Sequence, residues 1–166
     1  MAENATPAYR FGDLLALARQ SWTRQMAHQL ALRGYPDYRI SDAASMRLLL
    51  SGPVPVGGLG EVLGVTRQAA RKVAHHLEQR GLATTESDPA DARRVNVVLT
   101  DAGRAYALTL VGVIAALNRG LAERVEMDQL LAADAVLRTS VVDPQLASTA
   151  QRIPRPTRPA GGGAPS

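Results

Sequence analysis

The spacing of apolar residues in the middle of the chain predicts two short helices in succession. The apolar residues of the segment 59–63 share one face of a helix that ends at Gly64, because a residue without a side chain most easily adopts a left-handed helix stop. A second helix is predicted from 67 to 80, a stretch without proline or glycine. Thr66 precedes it and is a good N-cap, since its hydroxyl can accept from a free amide of the first turn.

The second predicted helix has one apolar and one polar face. The apolar face, which should pack against the core, comprises Ala70, Val73, Ala74 and Leu77. The polar face, which should present hydrogen-bond donors, comprises Arg67, Gln68, Arg71, Lys72, His75 and Gln79.

A hairpin and a further helix are predicted next. After Gly81, the segments 82–86 and 95–99 are rich in threonine, valine and leucine, and a proline turn over 87–92 joins them. Thr100, followed by an acid, predicts the cap of another helix. Two helices with a tight turn between them form a helix-turn-helix, whose second helix lies in the DNA major groove, and the hairpin would be its wing.

Four short motifs follow one another in this region: LGVTRQ at 63–68, LEQRGL at 77–82, DPADAR at 88–93 and LTDAG at 99–103. In these motifs the chain resembles the MarR family of bacterial transcription regulators, and outside them the resemblance rests on helix pattern over residues 10–140. The resemblance implies a mostly α fold with a small β wing, in which a winged helix-turn-helix is flanked by N- and C-terminal dimerisation helices. It also implies a homodimeric regulator, most often a repressor, that binds a pseudo-palindromic operator.

Long apolar stripes on both sides of this region support a dimer. The first stripe comprises Phe11, Leu14, Leu15, Ala18, Trp22, Met26 and Leu30, and the second comprises Tyr106, Leu110, Val113, Ile114, Leu117, Leu121 and Val125. A third helical segment is predicted over 127–137. A small winged helix cannot cover so much apolar surface, so we expect burial against a second copy. The alternative, terminal helices folded onto their own domain, stays open.

The chain therefore divides into three predicted regions. Residues 1–9 form a flexible N-terminus. Residues 10–145 form a single domain, with dimerisation helices over 10–34 and 100–140 and the winged helix-turn-helix over 41–100. Residues 146–166 form a disordered tail rich in proline, glycine and arginine.

The residues predicted to bind double-stranded DNA lie on the second helix and the hairpin. Thr66 suits a phosphate at the helix N-terminus, and base edges are in reach of Arg67, Gln68, Arg71 and Lys72. His75 is one turn further on and is predicted to meet backbone or water. For Arg93 the resemblance implies insertion into the minor groove, a role that Arg94 would share, while Asp88 and Asp91 would cap the wing turn and hold nearby arginines.

Charge by itself does not establish this function. The formal net charge is +4, yet residues 56–100 hold six basic and five acidic residues, so individual donors have to carry recognition. A winged helix that contacts proteins instead of DNA remains the alternative. The absence of cysteine excludes disulfides and thiolate sites, and the histidines 28, 75 and 76 form no nucleophile or metal motif. We therefore predict no enzyme, no cofactor and no metal.

The resemblance also implies a small aromatic effector that settles between the dimer helices and the winged helix. Residues of suitable chemistry near that junction are Trp22, His28, Tyr35, Tyr38 and Met46. A receptor for a small ligand is thus a second hypothesis, and the existence of an effector stays open. No secretory signal is visible, and the uncharged apolar run 105–118 is shorter than the roughly 20 residues of a membrane span, so we expect a cytoplasmic protein without membrane contact.

Overall fold

The computed structural model describes residues 10–88 and 91–157, without the side chains of residues 92–94 and 145. The chain divides into an N-terminal unit, up to Ile40, and a C-terminal unit from Ser41 onward. The described part is mostly helical with one small antiparallel sheet, which confirms the predicted fold class.

The N-terminal unit contains one long helix, α1, over Phe11–Ala31. Gly34, at φ 87°, follows it in the left-handed region that favours glycine. Along the predicted apolar stripe, Met26 and Leu30 are fully buried, whereas Leu14 keeps 58% of its surface exposed. Only the C-terminal half of the α1 stripe is therefore covered within a single chain.

The C-terminal unit carries the remaining elements. They are α2 (Asp42–Leu49), β1 (Val54–Pro55), α3 (Val56–Leu63), α4 (Arg67–Gln79), β2 (Ala83–Asp88), β3 (Asp91–Leu99), α5 (Asp101–Ala122), α6 (Met127–Ser140) and α7 (Pro144–Gln151). The sheet order is β1-β3-β2. Val97 of the central strand β3 is paired with Val54 of β1 on one side and with Thr85 of β2 on the other. Its core includes Met46, Leu49, Leu59, Leu77, Val97, Tyr106 and Leu110.

Several predicted boundaries need correction. The hairpin strands reach Asp88 and Asp91, so residues placed in the turn belong to the ladder, because backbone pairing continues beyond the β-branched run. A disordered tail from residue 146 is wrong for residues 146–151, which are the helical end of α7. Neither α2 nor the two-residue strand β1 was predicted from the sequence.

The start of α5 is pressed against the start of β2. The Thr100 hydroxyl caps α5 by accepting from the Gly103 amide at 3.0 Å, and it donates to the Gly81 carbonyl at 2.7 Å. The Leu82 carbonyl accepts from the Thr100 amide at 3.2 Å. A Cβ atom at Gly103 would lie 1.7 Å from that same Leu82 oxygen, so only glycine fits there.

A buried polar cluster joins α2, the end of α4 and α5. Asp42, only 1% exposed, accepts hydrogen bonds from Arg80 at 2.9 Å and from the Tyr106 hydroxyl at 2.6 Å. The Arg80 guanidinium also lies 5.3 Å from the centre of the Tyr106 ring. Burial, followed by the hydrogen bond and charge of Asp42, raises the pKa of Tyr106 far above its ordinary value. The cluster fixes the C-terminal end of α4 relative to α5.

By length and composition alone, helix α5 could cross a membrane. Of its most apolar stretch, 22% is buried within the chain. Its buried residues, Gly103, Tyr106, Ala107, Leu110 and Val113, face the C-terminal unit's own core. The core helix of a soluble domain meets the same length and composition test.

Candidate nucleic-acid interface

The start of α4 is fixed by a side-chain cap and by close packing against α3. Thr66 has an extended backbone, and its hydroxyl accepts from the Ala69 amide at 3.2 Å, which confirms the predicted cap. Gly64 ends α3 at φ 64°. A Cβ atom at Gly60 would lie 3.3 Å from the Ala70 Cβ, so the two helices cross with little space between them. This packing sets the angle at which α4 leaves the turn.

The two faces of α4 agree with the sequence prediction, except that Val73 on the apolar face is only half-buried. Ala70, Ala74 and Leu77 are buried, with at most 3% of their surface exposed. The exposed residues are Arg67, Gln68, Arg71, Lys72 and His75, together with the cap residue Thr66. The structure thus gathers six of the predicted DNA-binding residues on one open surface.

A groove of about 180 Å³ separates α4 from the hairpin. It is lined by Val56, Arg67, Arg71, Ala74, His75, Glu78, Thr85 and Val95. Glu78 spans the groove by accepting a hydrogen bond from the Thr85 hydroxyl at 2.7 Å, while its other oxygen lies 3.9 Å from His75 Nδ1. Glu78 therefore ties α4 to β2. Sequence reasoning missed this residue, since only the folded hairpin brings Thr85 near it.

The far end of the hairpin has an irregular register. Asp88 is opposite Asp91, while the neighbouring Ser87 is opposite Val95, so the ladder is interrupted between them as in a β-bulge. The Asp88 carboxylate accepts from the side-chain amide of Asn96 at 3.2 Å. Asp88 thus braces β3 through Asn96, a partner the sequence did not indicate.

Arg93 and Arg94 lie on β3, within this interruption of the register. Their side chains fall outside the described part of the structure, so their predicted role in the minor groove stays a prediction, as does the support of these arginines by Asp88 and Asp91.

The predicted effector residues occupy different environments. In the N-terminal unit, Trp22, Tyr35 and Tyr38 are half-buried and His28 is exposed. In the C-terminal unit, Met46 is fully buried in the core. A cavity of about 460 Å³ in the N-terminal unit is lined by Ala16, Leu17, Arg19, Gln20, Thr23 and Ile40, and includes none of the five.

Metal-binding side chains are not clustered in the described part of the chain. Among residues 10–88 and 91–157, no group of three histidine, cysteine or acidic residues is placed to hold an ion. The rings of His75 and His76 have their centres 6.5 Å apart and are tilted by 33°. The chemistry of the surface is that of hydrogen-bond donors and positive charge.

A comparison with protein-family models finds one match, to the central part of the chain. Residues 46–94 match the model of the MarR family, which covers α3, α4 and most of the hairpin. The search of curated proteins found no match.

Among solved structures, the Staphylococcus aureus MepR–DNA complex is similar with a TM-score of 0.70 at 15% identity, covering 80% of this chain and 97% of that chain. The Streptomyces coelicolor regulator PcaV, in complex with its natural ligand, gives 0.68 at 24% identity, covering 86% and 99%. A probable transcriptional regulator from Pseudomonas aeruginosa gives 0.66 at 24% identity, covering 80% and 97%. At these identities the likeness shows a shared fold.

Proposed function

We propose that this chain, whose residues 46–94 match the MarR family model, is a homodimeric transcriptional repressor that reads a pseudo-palindromic DNA operator in the cytoplasm. Each protomer inserts α4 into a major groove, and the wing arginines reach the adjacent minor groove. The similarity to the DNA-bound MepR structure supports this reading.

The observation that carries the proposal is the polar face of α4. Arg67, Gln68, Arg71 and Lys72 are exposed within the first two turns of a helix whose opposite face is anchored in the core. Arginine and lysine suit guanine, and glutamine suits adenine. In this proposal Thr66 and the first amides of α4 meet a phosphate, which positions the helix without reading sequence.

Exposed apolar side chains on the terminal helices support the dimer. Leu14 and Leu17 on α1 are 58% and 61% exposed, and Leu108 on α5 is 60% exposed. In α6, Val136 and Leu137 are 50% and 44% exposed, and no residue of α6 is buried. Surfaces of this kind are typical of contact with a partner. We propose a second copy as that partner, and sedimentation that finds a monomer at micromolar concentration would exclude it.

Selection of bound duplexes from a random DNA pool, followed by footprinting, tests the function. We expect two half-sites about one helical turn, roughly 34 to 36 Å, apart. Arg71→Ala and Arg93→Ala should each weaken operator binding by about 1 to 3 kcal/mol. Arg124→Ala is the matched control, because this exposed arginine lies just after α5 and donates a hydrogen bond to the Gly120 carbonyl of that helix. The assignment is wrong if neither α4 nor wing substitution alters retention on the selected DNA.

A ligand-responsive repressor is favoured over a simple one by the similarity to PcaV with its natural ligand. We propose that an aromatic acid binds near Trp22, His28, Tyr35 and Tyr38 of the N-terminal unit. It would release the operator because its affinity differs between dimer states in which the recognition helices have different spacings. Thermal-shift screening with aromatic acids, followed by operator release, tests this. Acids that raise the melting temperature without releasing DNA would support the alternative of a receptor whose output is not operator release.

A further inference from the structure

The C-terminal helix α7 lies against the turn of the helix-turn-helix. Gly64, the left-handed residue between α3 and α4, is covered by Leu146 of α7, whose Cδ2 atom lies 2.8 Å from where a Cβ at Gly64 would be. Glycine at position 64 thus permits both the left-handed turn and the close contact with Leu146. The contact brings a segment distant in sequence to the base of the recognition helix.

Arg138 of α6 holds the end of α7 in place. Its Nε donates to Asp134 at 2.7 Å, and its two terminal nitrogens donate to the carbonyls of Ala150 at 2.5 Å and Ile153 at 2.9 Å. These carbonyls belong to the last turn of α7 and the residues after it, where a helix lacks its own donors. A cation at a helix C-terminus is also favoured by the helix dipole. The anchor fixes the position of the residues that follow.

Arg152, which directly follows α7, lines a cavity together with Arg67, the first residue of α4. This cavity of about 460 Å³ is lined by Gly57, Gly60, Glu61, Val62, Val65 and Arg67 on one side and by Ser148, Thr149 and Arg152 on the other. Arg67 also lines the groove on the wing side, together with Arg71. Arg67 therefore lies between the two cavities, sharing one with Arg152 and the other with Arg71.

Arg67 and Arg152 can bind an anion, because neither forms an ion pair within the described part of the chain. The ion pairs formed by the described residues join Arg10 to Asp13, His75 to Glu78, Arg80 to Asp42 and Arg138 to Asp134. Neither Arg67 nor Arg152 takes part in these, and Glu61 is the one acid among the residues that line the cavity. The first turn of α3, at Gly57, adds the positive end of a helix dipole, and a Cβ there would meet no atom within 4 Å. A phosphate can thus approach closely.

We propose that α7 is part of the DNA-binding surface and that Arg152 binds a backbone phosphate next to the phosphate at the start of α4. This inference rests on the proposed DNA-binding function and extends it to a segment outside the winged helix. A contact of this kind adds affinity but reads no bases, so it acts equally on operator and unrelated DNA. It also releases a counterion, which makes binding more dependent on salt.

Arg152→Gln tests the proposal, with Arg155→Gln as a matched control from the same segment. Arg155 lies on another cavity, with Arg138, Ala147, Ala150 and Gln151, and its charge acts on Asp134. Removing it takes away the same charge without touching the proposed contact. Both arginines are exposed, so both variants should fold as the original protein does.

The measurement is the salt dependence of binding to a duplex with the selected operator and to a scrambled duplex. For a dimer that loses two phosphate contacts, Arg152→Gln should reduce the slope of log K against log salt by about 1.8. It should also weaken both complexes by about 10- to 60-fold at 0.1 M salt, by the same factor. Arg155→Gln should change both quantities far less.

Three results would overturn the proposal. The slopes of the two variants could be equal, the loss could be confined to the operator, or Arg152→Gln could tighten binding, which would identify α7 as a steric block. If the original protein binds neither duplex at any salt concentration, the proposed function fails as well. If the original protein binds DNA and Arg152→Gln leaves the slope of log K against log salt unchanged, only the proposed role of α7 fails.

Discussion

Replacing Gly103 by alanine is expected to disrupt the junction between the wing and α5. The added Cβ would lie 1.7 Å from the Leu82 carbonyl oxygen and 2.7 Å from its carbon. A carbon and an oxygen in contact need about 3.3 Å, so β2 and α5 would have to separate by about 1.5 Å. Since the obstacle is backbone, no side-chain rotation can relieve it. The movement would also pull Thr100 from its hydrogen bonds with the carbonyls of Gly81 and Leu82.

The size of the effect follows from opposing terms. Alanine is favoured over glycine by about 1 kcal/mol in a helix interior, which by itself would stabilise α5. Overpacking costs about 1 to 3 kcal/mol, and the two lost hydrogen bonds of Thr100 cost about 1 kcal/mol each. We therefore expect Gly103→Ala to lower the free energy of unfolding by about 3 kcal/mol, a large part of the 5 to 15 kcal/mol typical of a domain.

Urea unfolding followed by circular dichroism measures this loss, at one protomer concentration because the stability of a dimer depends on it. Gly112→Ala is the matched control within the same helix, since a Cβ there meets nothing within 4 Å. It should leave stability unchanged or raise it by up to about 1 kcal/mol. The close approach of β2 and α5 is refuted if Gly103→Ala unfolds within about 0.5 kcal/mol of the original protein.

Three further substitutions test local interactions. Folding raises the pKa of Tyr106, so above about pH 10 the unfolded chain loses this proton before the folded chain does. The free energy of unfolding should therefore fall by up to about 1.4 kcal/mol per pH unit. Urea titrations of Tyr106→Phe should not show this slope. Asp42→Ala should cost about 3 to 5 kcal/mol by urea unfolding, because it leaves Arg80 without its buried acceptor, and a loss below about 1 kcal/mol would contradict the cluster. Thr66→Ala should cost about 1 kcal/mol in thermal unfolding and Thr66→Ser much less, whereas equal losses would mean that the cap to Ala69 is not what stabilises α4.

The elements around the recognition helix were predictable because their signals are local. The stop at Gly64, the caps at Thr66 and Thr100, and the two faces of α4 each depend on residues within about four positions of one another. Periodicity likewise predicted α1, α5 and α6. The candidate DNA-binding residues of α4 follow directly, since the face that does not pack must carry the donors.

What only the tertiary structure decided involves residues far apart in the chain. Asp42 and Tyr106 are 64 positions apart in the sequence, and only folding brings their side chains into a hydrogen bond. The same carboxylate also accepts a hydrogen bond from Arg80, at the end of α4. Folding alone also produces the close approach of Gly103 to Leu82 and the contact of Leu146 with Gly64. Side-chain periodicity identifies which face of a helix is buried, whereas the partner it meets depends on how all the elements pack together.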